Sequence, residues 1–253
     1  MTRIHFSIIA SILLVAIGFS SCDQEIDNIY KEKARIQFKY YSLDFNRKMV
    51  IEDETIFSFG MADDDVKIDT ARIVVEFLGI ALDKDRTYQV RVNTDSTTAV
   101  EGVHYKSFSM TQTFRANRLK DTLKIPVIRE NLSPSFNNPE DKRLTLEMVA
   151  TDDFDLGMKG GLRTDLYINN YLSEPKWWSS SLRRPYIGFY HPKKWKILIS
   201  YNIGFTDPVN CPFDYNNQGR SYFQGLNNEL NAKPTFDDET GYRIYLNSLE
   251  PRK

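Results

Sequence analysis

The sequence predicts a mainly β protein: two antiparallel sheets face to face over residues 33–174, followed by a smaller α+β segment over residues 175–253. Three observations lead there. Between Lys33 and Ile168, apolar residues recur with a period of two in short runs split by polar or acidic turns, as half-buried strands require. The chain is rich in rings, with 16 Phe, 14 Tyr and 3 Trp, and these suit pleated faces. Near Pro175 the period of two gives way to spacings of three and four.

The first run alternates Ile36, Phe38 and Tyr40 with Arg35, Gln37 and Lys39, and Phe57 and Phe59 repeat the pattern after a bend. Ala71, Ile73, Val75 and Phe77 share one face of the third run, and Tyr88, Val90 and Val92 one face of the fourth. Phe108, Met110 and Phe114 follow, then Leu123, Ile125 and Val127, then Leu144, Leu146, Met148 and Ala150, and finally Leu162, Leu166 and Ile168. Eight short strands without a long helix between them bury their apolar faces by stacking as a sandwich. Beyond Pro175, Trp195, Leu198, Ile199, Asn202 and Ile203 fall at helical spacing. With Pro192 at the first turn and Gly204 just past the end, they predict a helix over 192–203. Tyr222, Phe223, Leu226 and Leu230 predict a second helix after a loop over 207–219, and Tyr242, Ile244 and Leu246 a closing strand.

The N-terminus carries a different message. Arg3 precedes an apolar run from Ile8 to Phe19 that ends in Ser20-Ser21-Cys22, the order of a lipoprotein signal peptide. The run is too short for the 18 or so apolar residues a membrane-spanning helix needs. Cleavage after Ser21 is therefore expected, leaving Cys22 as an acylated N-terminus that holds the chain to a bilayer, with residues 22–32 as a tether. Asp23, Glu25 and Asp27 beside it resemble the acidic stretch of lipoproteins that Bacteroidetes-type bacteria export to the cell surface; an ordinary solvated tether reads the same way.

Composition excludes some functions. The formal net charge is −1, with no basic excess to neutralise phosphates, so nucleic acid is not an expected partner. Cys211 is the only thiol besides Cys22, so acylation leaves no intramolecular disulfide, and a small buried apolar role is expected for it. Asp63-Asp64-Asp65, Asp152-Asp153 with Asp155, and Asp237-Asp238-Glu239 are rich in oxygen, but none has the spacing of a calcium loop and solvated turns are expected. Once His5 leaves with the signal, His104 and His191 are too isolated for zinc. No metal or cofactor is expected, and no Gly-x-Ser-x-Gly elbow marks a nucleophile.

The order of features within the sandwich is informative. Thr98 to Tyr105 make a small-residue and glycine turn, and Thr113 to Asn117 a phenylalanine-led loop. The strand Asp121 to Ile128 and the turn Glu140 to Arg143 before Leu144 follow. Over about residues 70–160 this resembles the Calx-beta type of immunoglobulin-like sandwich. That family binds calcium through acidic clusters at its strand ends; here His104 stands where an aspartate is usual and Arg129-Glu130-Asn131 replaces an acidic run. Ser21-Cys22, the early Phe-Lys-Tyr-Tyr strand, Ala99 to Tyr105, Gly188-Phe189-Tyr190 and Lys193-Lys194-Trp195 resemble a family of Bacteroidetes lipoproteins known as a domain of unknown function. The resemblance implies an envelope location, often beside outer-membrane glycan-uptake proteins.

The expected role is non-enzymatic: binding a polysaccharide or an envelope protein at the outer-membrane surface. Trp177, Trp178, Trp195 and Tyr190 are the candidate ligand contacts, because flat aromatic faces stack on sugar rings. Packing at a domain junction would use the same residues, and Lys193 and Lys194 beside them read as a solvated helix face. A scaffold or adhesin subunit without a small-molecule ligand is one alternative. A glycan-active hydrolase is another, needing two convergent carboxylates.

Overall fold

Alternation of buried and exposed side chains builds two sheets. The structure, a computed structural model, describes residues 33–43, 47–179, 182–209, 211 and 219–246; the expected signal peptide, Cys22 and tether lie outside them. In chain order the strands are β1 (Arg35–Phe38), β2 (Tyr41–Leu43), β3 (Met49–Ile51), β4 (Glu54–Ser58), β5 (Ile68–Leu78) and β6 (Arg86–Val92). They continue with β7 (Thr111–Phe114), β8 (Lys120–Ile128), β9 (Lys142–Val149), β10 (Asp155–Leu156) and β11 (Arg163–Asn169). One sheet has the order β10-β1-β5-β8 and the other β4-β11-β9-β6-β7, while β2 and β3 form a separate ribbon.

Between the sheets lies one core. Ala71, Ile73, Val75 and Phe77 of β5 point inward, and in the register that sets Ala71 opposite Ile125 and Ile73 opposite Leu123 they share a face with β8. The second sheet meets them with Tyr88, Val90, Phe114, Leu144, Leu146, Leu166 and Ile168, all buried. Each such side chain contributes about 1.5–3 kcal/mol by leaving water. Pro126, which cannot donate to a ladder, sits on the edge strand β8, and its carbonyl accepts from Lys106 N at 2.9 Å.

Several expectations change. β4 ends at Ser58, yet Phe59 stays in the core, its N donating to Asn169 O at 3.0 Å. Phe108 and Met110 precede β7 rather than belong to it. The ribbon and β10 are additional strands, and two pairs are parallel, β1 with β10 and β4 with β11. In each parallel pair an outermost strand lies alongside its neighbour without a hairpin joining them.

The C-terminal segment packs a second core around helices α1 (Pro192–Tyr201) and α2 (Arg220–Ala232). α1 stops two residues before the expected end because Asn202 turns extended (φ −155°) and its side chain accepts from Gly204 N, starting a short 3₁₀ turn over Ile203–Thr206. The expected closing strand does not form. Ile244 and Leu246 are buried, but among the described residues only an isolated bridge between Phe236 and Arg243 pairs this segment, across the tight turn that Asp237 organises. A loop of the sandwich reaches this second core. Phe136 packs edge-on against Tyr190 and His191, and Asn137 Nδ2 donates to Asp237 at 3.2 Å.

Candidate functional site

The four aromatic residues expected to contact a ligand are core residues. Trp178 is 1 % exposed, and Trp177, Trp195 and Tyr190 are also buried. Each polar edge is used internally: Trp177 Nε1 donates to Asp207 O (2.8 Å), Trp178 Nε1 to Gly188 O (3.1 Å), Trp195 Nε1 to Phe205 O (2.7 Å) and Tyr190 OH to Leu172 O (2.6 Å). The rings pack on one another, Trp178 within 5.5 Å of Trp177 and 5.2 Å of Tyr190. A cluster whose N–H and O–H groups all reach carbonyls is a packed interior, and the exposed platform is corrected accordingly.

The expected solvated helix face holds at Lys193, which is part-exposed beside Asp238, and fails at Lys194. Lys194 is 0 % exposed; its Nζ donates to Ile187 O, Phe189 O and Leu246 O at 2.9–3.2 Å and stands 3.9 Å from the Phe189 ring centre. Burial brings this amine down to about 7. Beside it His191 caps α1, its Nδ1 accepting from Lys193 N (3.1 Å), so Nε2 carries the proton donated to Asp237 (3.0 Å). Burial pushes the Asp237 carboxyl up, but hydrogen bonds from Thr240, His191 and Asn137 outweigh it and hold the group well below the carboxylate range. This resembles a catalytic dyad in distance alone. Both partners are buried and committed to closing the Asp237 turn.

At the end of the sandwich that holds the Asp63 cluster, Arg129 gathers oxygens from Asp63, Asp64 and Asn170. Its Nη1 donates to Asp63 O (2.6 Å), its Nε to Asn170 Oδ1 (2.9 Å), and Nη2 lies 3.6 Å from Asp64. Among the described residues no group of three or more His, Cys, Asp and Glu is arranged to hold a metal. The cavity next to it, about 570 Å³, has Arg129, Asn170, Lys67 and Glu130 among its lining residues, and the first three already hydrogen-bond within the protein.

A cleft on the outer face of the five-stranded sheet is different. Alternation along β11 turns Leu166 and Ile168 inward and Asp165, Tyr167 and Asn169 outward, beside Glu54 and Ile56 of β4. Glu54, Asp141, Tyr167, Asn169, Tyr171 and Ser173 line a cleft of about 200 Å³. Asp141 accepts from Asn169 Nδ2 (2.8 Å) and from Tyr171 OH (3.1 Å), which fixes all three side chains. Asn169 Oδ1 is buried with no hydrogen-bond partner among the described residues. Asn169 lies beneath the surface of the cleft, and what the cleft presents to solvent is the Asp141 carboxylate with the half-buried Tyr167 and Tyr171.

A family model matches residues 30–203, taking in both sheets and α1. The chain belongs to that family, Domain of unknown function (DUF4843). No curated protein matches it. Solved structures similar to it include the apo-form Calx CBD1 domain, at 12% identity over 55% of this chain and 98% of that one, TM-score 0.36. A protein from Bacteroides ovatus ATCC 8483, provisionally described as carbohydrate binding, is 12% identical over 56% of this chain and 38% of that one, TM-score 0.37. A Bacteroides ovatus protein of unknown function is 18% identical over 53% and 46%, TM-score 0.36. The fold is a mainly β, two-sheet sandwich with a small helical C-terminal segment, as the strand pairing above lays out.

Tyr167 and Asn169 were not among the expected contacts. The signal for them lay in the same alternation that marks Leu166 and Ile168 as core, since the intervening residues must share the outer face. Asp141 and Tyr171 come from the ends of neighbouring segments, and only the pairing of β9 with β11 brings them together.

Proposed function

We propose that the chain is a non-catalytic binding module held at the bacterial outer membrane by an acylated Cys22, and that its ligand is a glycan docked against Tyr167, Tyr171, Asp141 and Asn169. The exposed Asp141 carboxylate, held by Asn169 and Tyr171 beside the half-buried rings of Tyr167 and Tyr171, carries this reading. Sugar hydroxyls donate to such a carboxylate while ring faces lie on tyrosine. The test uses protein lacking residues 1–21 with Cys22→Ser, titrated calorimetrically against neutral polysaccharides. Saturable binding weakened about tenfold by Tyr167→Ala is expected, a loss of roughly 1.4 kcal/mol. Binding indifferent to Tyr167→Ala would sink the assignment of the cleft, and hydrolysis of the bound polymer, with Glu54 and Asp141 both at hand, would sink the non-catalytic half.

One observation favours protein docking as a second reading. The β2–β3 ribbon exposes Leu43, Met49 (60 %) and Ile51 (54 %), an apolar surface of the kind that partner proteins cover. A photo-crosslinker at Met49 that captures one envelope protein on intact cells, with no glycan bound by the isolated chain, would move the role to a scaffold.

A further inference from the structure

At the opposite end of the sandwich a second cavity is built around a buried cation. Arg86 opens β6 in phase with Tyr88 and Val90, so its side chain points into the core, where it is 5 % exposed. Its Cζ lies 4.4 Å from the ring centres of Phe77 and Phe154 and 5.8 Å from that of Phe114. The rings cage the guanidinium but accept none of its protons in hydrogen bonds, and Nε is buried without a partner among the described residues. Asp153 acts on it only through space, because that carboxylate is turned to Thr87, accepting from its N (2.7 Å) and Oγ1 (2.9 Å). Burial lowers the affinity of Arg86 for its proton, yet a guanidinium stays charged at neutral pH.

Arg86 lines a cavity of about 350 Å³ with Lys33, Ala34, Gly79, Lys84 and Asp152. That volume is at the small end of the range for ligand sites, roughly 300–1,000 Å³. A buried guanidinium that donates no hydrogen bond is costly, and its planar fork of N–H donors is matched best by a coplanar pair of oxygens. Asp152 and Asp153 at the rim oppose a second negative charge.

We propose that this cavity binds a small monoanionic carboxylate, such as a hexuronic acid, through the Arg86 guanidinium. Carboxylate oxygens then supply the partners that the chain withholds from Arg86, and Lys84 at the rim adds attraction. The site is independent of the Tyr171 cleft: β9, whose eight residues span about 26 Å, separates Asp141 from the Asp152 turn.

The test titrates the protein lacking residues 1–21 with sodium galacturonate, galactose and inorganic phosphate, following the melting temperature and the Arg86 Nε resonance. Galacturonate is expected to raise the melting temperature and shift that resonance saturably, while galactose leaves the resonance unmoved and phosphate binds more weakly. Arg86→Met is expected to weaken galacturonate binding by about tenfold or more. It keeps or raises the melting temperature of the ligand-free protein, since it removes a buried charge whose N–H donors go unmet and leaves an apolar chain among the rings. Tyr167-dependent glycan binding stays as it was. An Arg86 resonance that ignores galacturonate, phosphate binding as tight as galacturonate, or galacturonate binding that survives Arg86→Met would each overturn the proposal. So would a large fall in melting temperature on Arg86→Met, which marks the guanidinium as internal glue.

Discussion

Replacing Trp178 with alanine removes the ring at the centre of the second core. An aromatic side chain buries about 150–250 Å². At about 25 cal/mol per Å² that surface is worth roughly 4–6 kcal/mol, an upper bound because the unfolded chain already hides part of it. The residual cavity and the Gly188 carbonyl left without its indole donor act in the same direction. A loss of about 4 kcal/mol is expected, within the roughly 3–5 kcal/mol of Trp→Ala changes in cores. Against a total stability of about 5–15 kcal/mol this is a quarter or more. Urea unfolding followed by far-ultraviolet circular dichroism measures it, with Trp178→Phe, which keeps an aromatic ring in place, as a control that loses less. A cost below about 1 kcal/mol for Trp178→Ala would refute the packed interior and return the ring to the surface. The same reasoning makes the tryptophans poor probes of ligand contact, since any binding lost with them would follow from lost structure.

Acid should destabilise the fold in two stages. Burial, and then Lys142, hold His104 below its ordinary 6.5 against Glu140; burial holds His191 below it against Asp237. The unfolded chain therefore takes up protons that the folded chain refuses, and stability falls as pH drops through 6.5 towards the folded values. Asp237 contributes stability above its ordinary 3.8 that is lost as pH falls below it, so urea midpoints should decline from pH 7 to pH 3 and Asp237→Asn should flatten the part below pH 4. A level profile contradicts both assignments. Gly60→Ala should disturb the proposed glycan cleft from behind: an added Cβ would stand 2.5 Å from Tyr171 O and 2.6 Å from Leu172 N. Backbone cannot yield cheaply, so a cost of about 1–3 kcal/mol is expected in urea unfolding, with weaker glycan binding. Unchanged stability would mean that the segment holding Tyr171 is free to move.

The central strands were legible because their two faces meet different surroundings. β5 alternates Ala71, Ile73, Val75 and Phe77 with residues that face out, and only a sheet packed on one side produces that. The ribbon was not legible, since Met49, Val50 and Ile51 are consecutive, all exposed, and have no periodicity to read. Lys194 and Arg86 mark the limit of reading charge as surface. Lys194 is in phase with Leu198 one turn on and Arg86 with Tyr88, so periodicity placed both on buried faces while their charge argued the reverse. The tryptophans stand close together in the sequence, but whether a ring faces water depends on which carbonyls its N–H can reach, and those belong to the chain near Gly188, Phe205 and Asp207.

Lys33 and Ala34, where the chain enters β1, line the Arg86 cavity, while Asp141 and Tyr171 stand at the far end of the sandwich. With a lipid on Cys22, residues 22–32 reach at most about 40 Å even when fully extended. The anchor would then give the molecule a direction. On that premise the Arg86 end would lie nearer the bilayer, within reach of small solutes, and the tyrosine cleft would look away from it, to where a long polymer can approach.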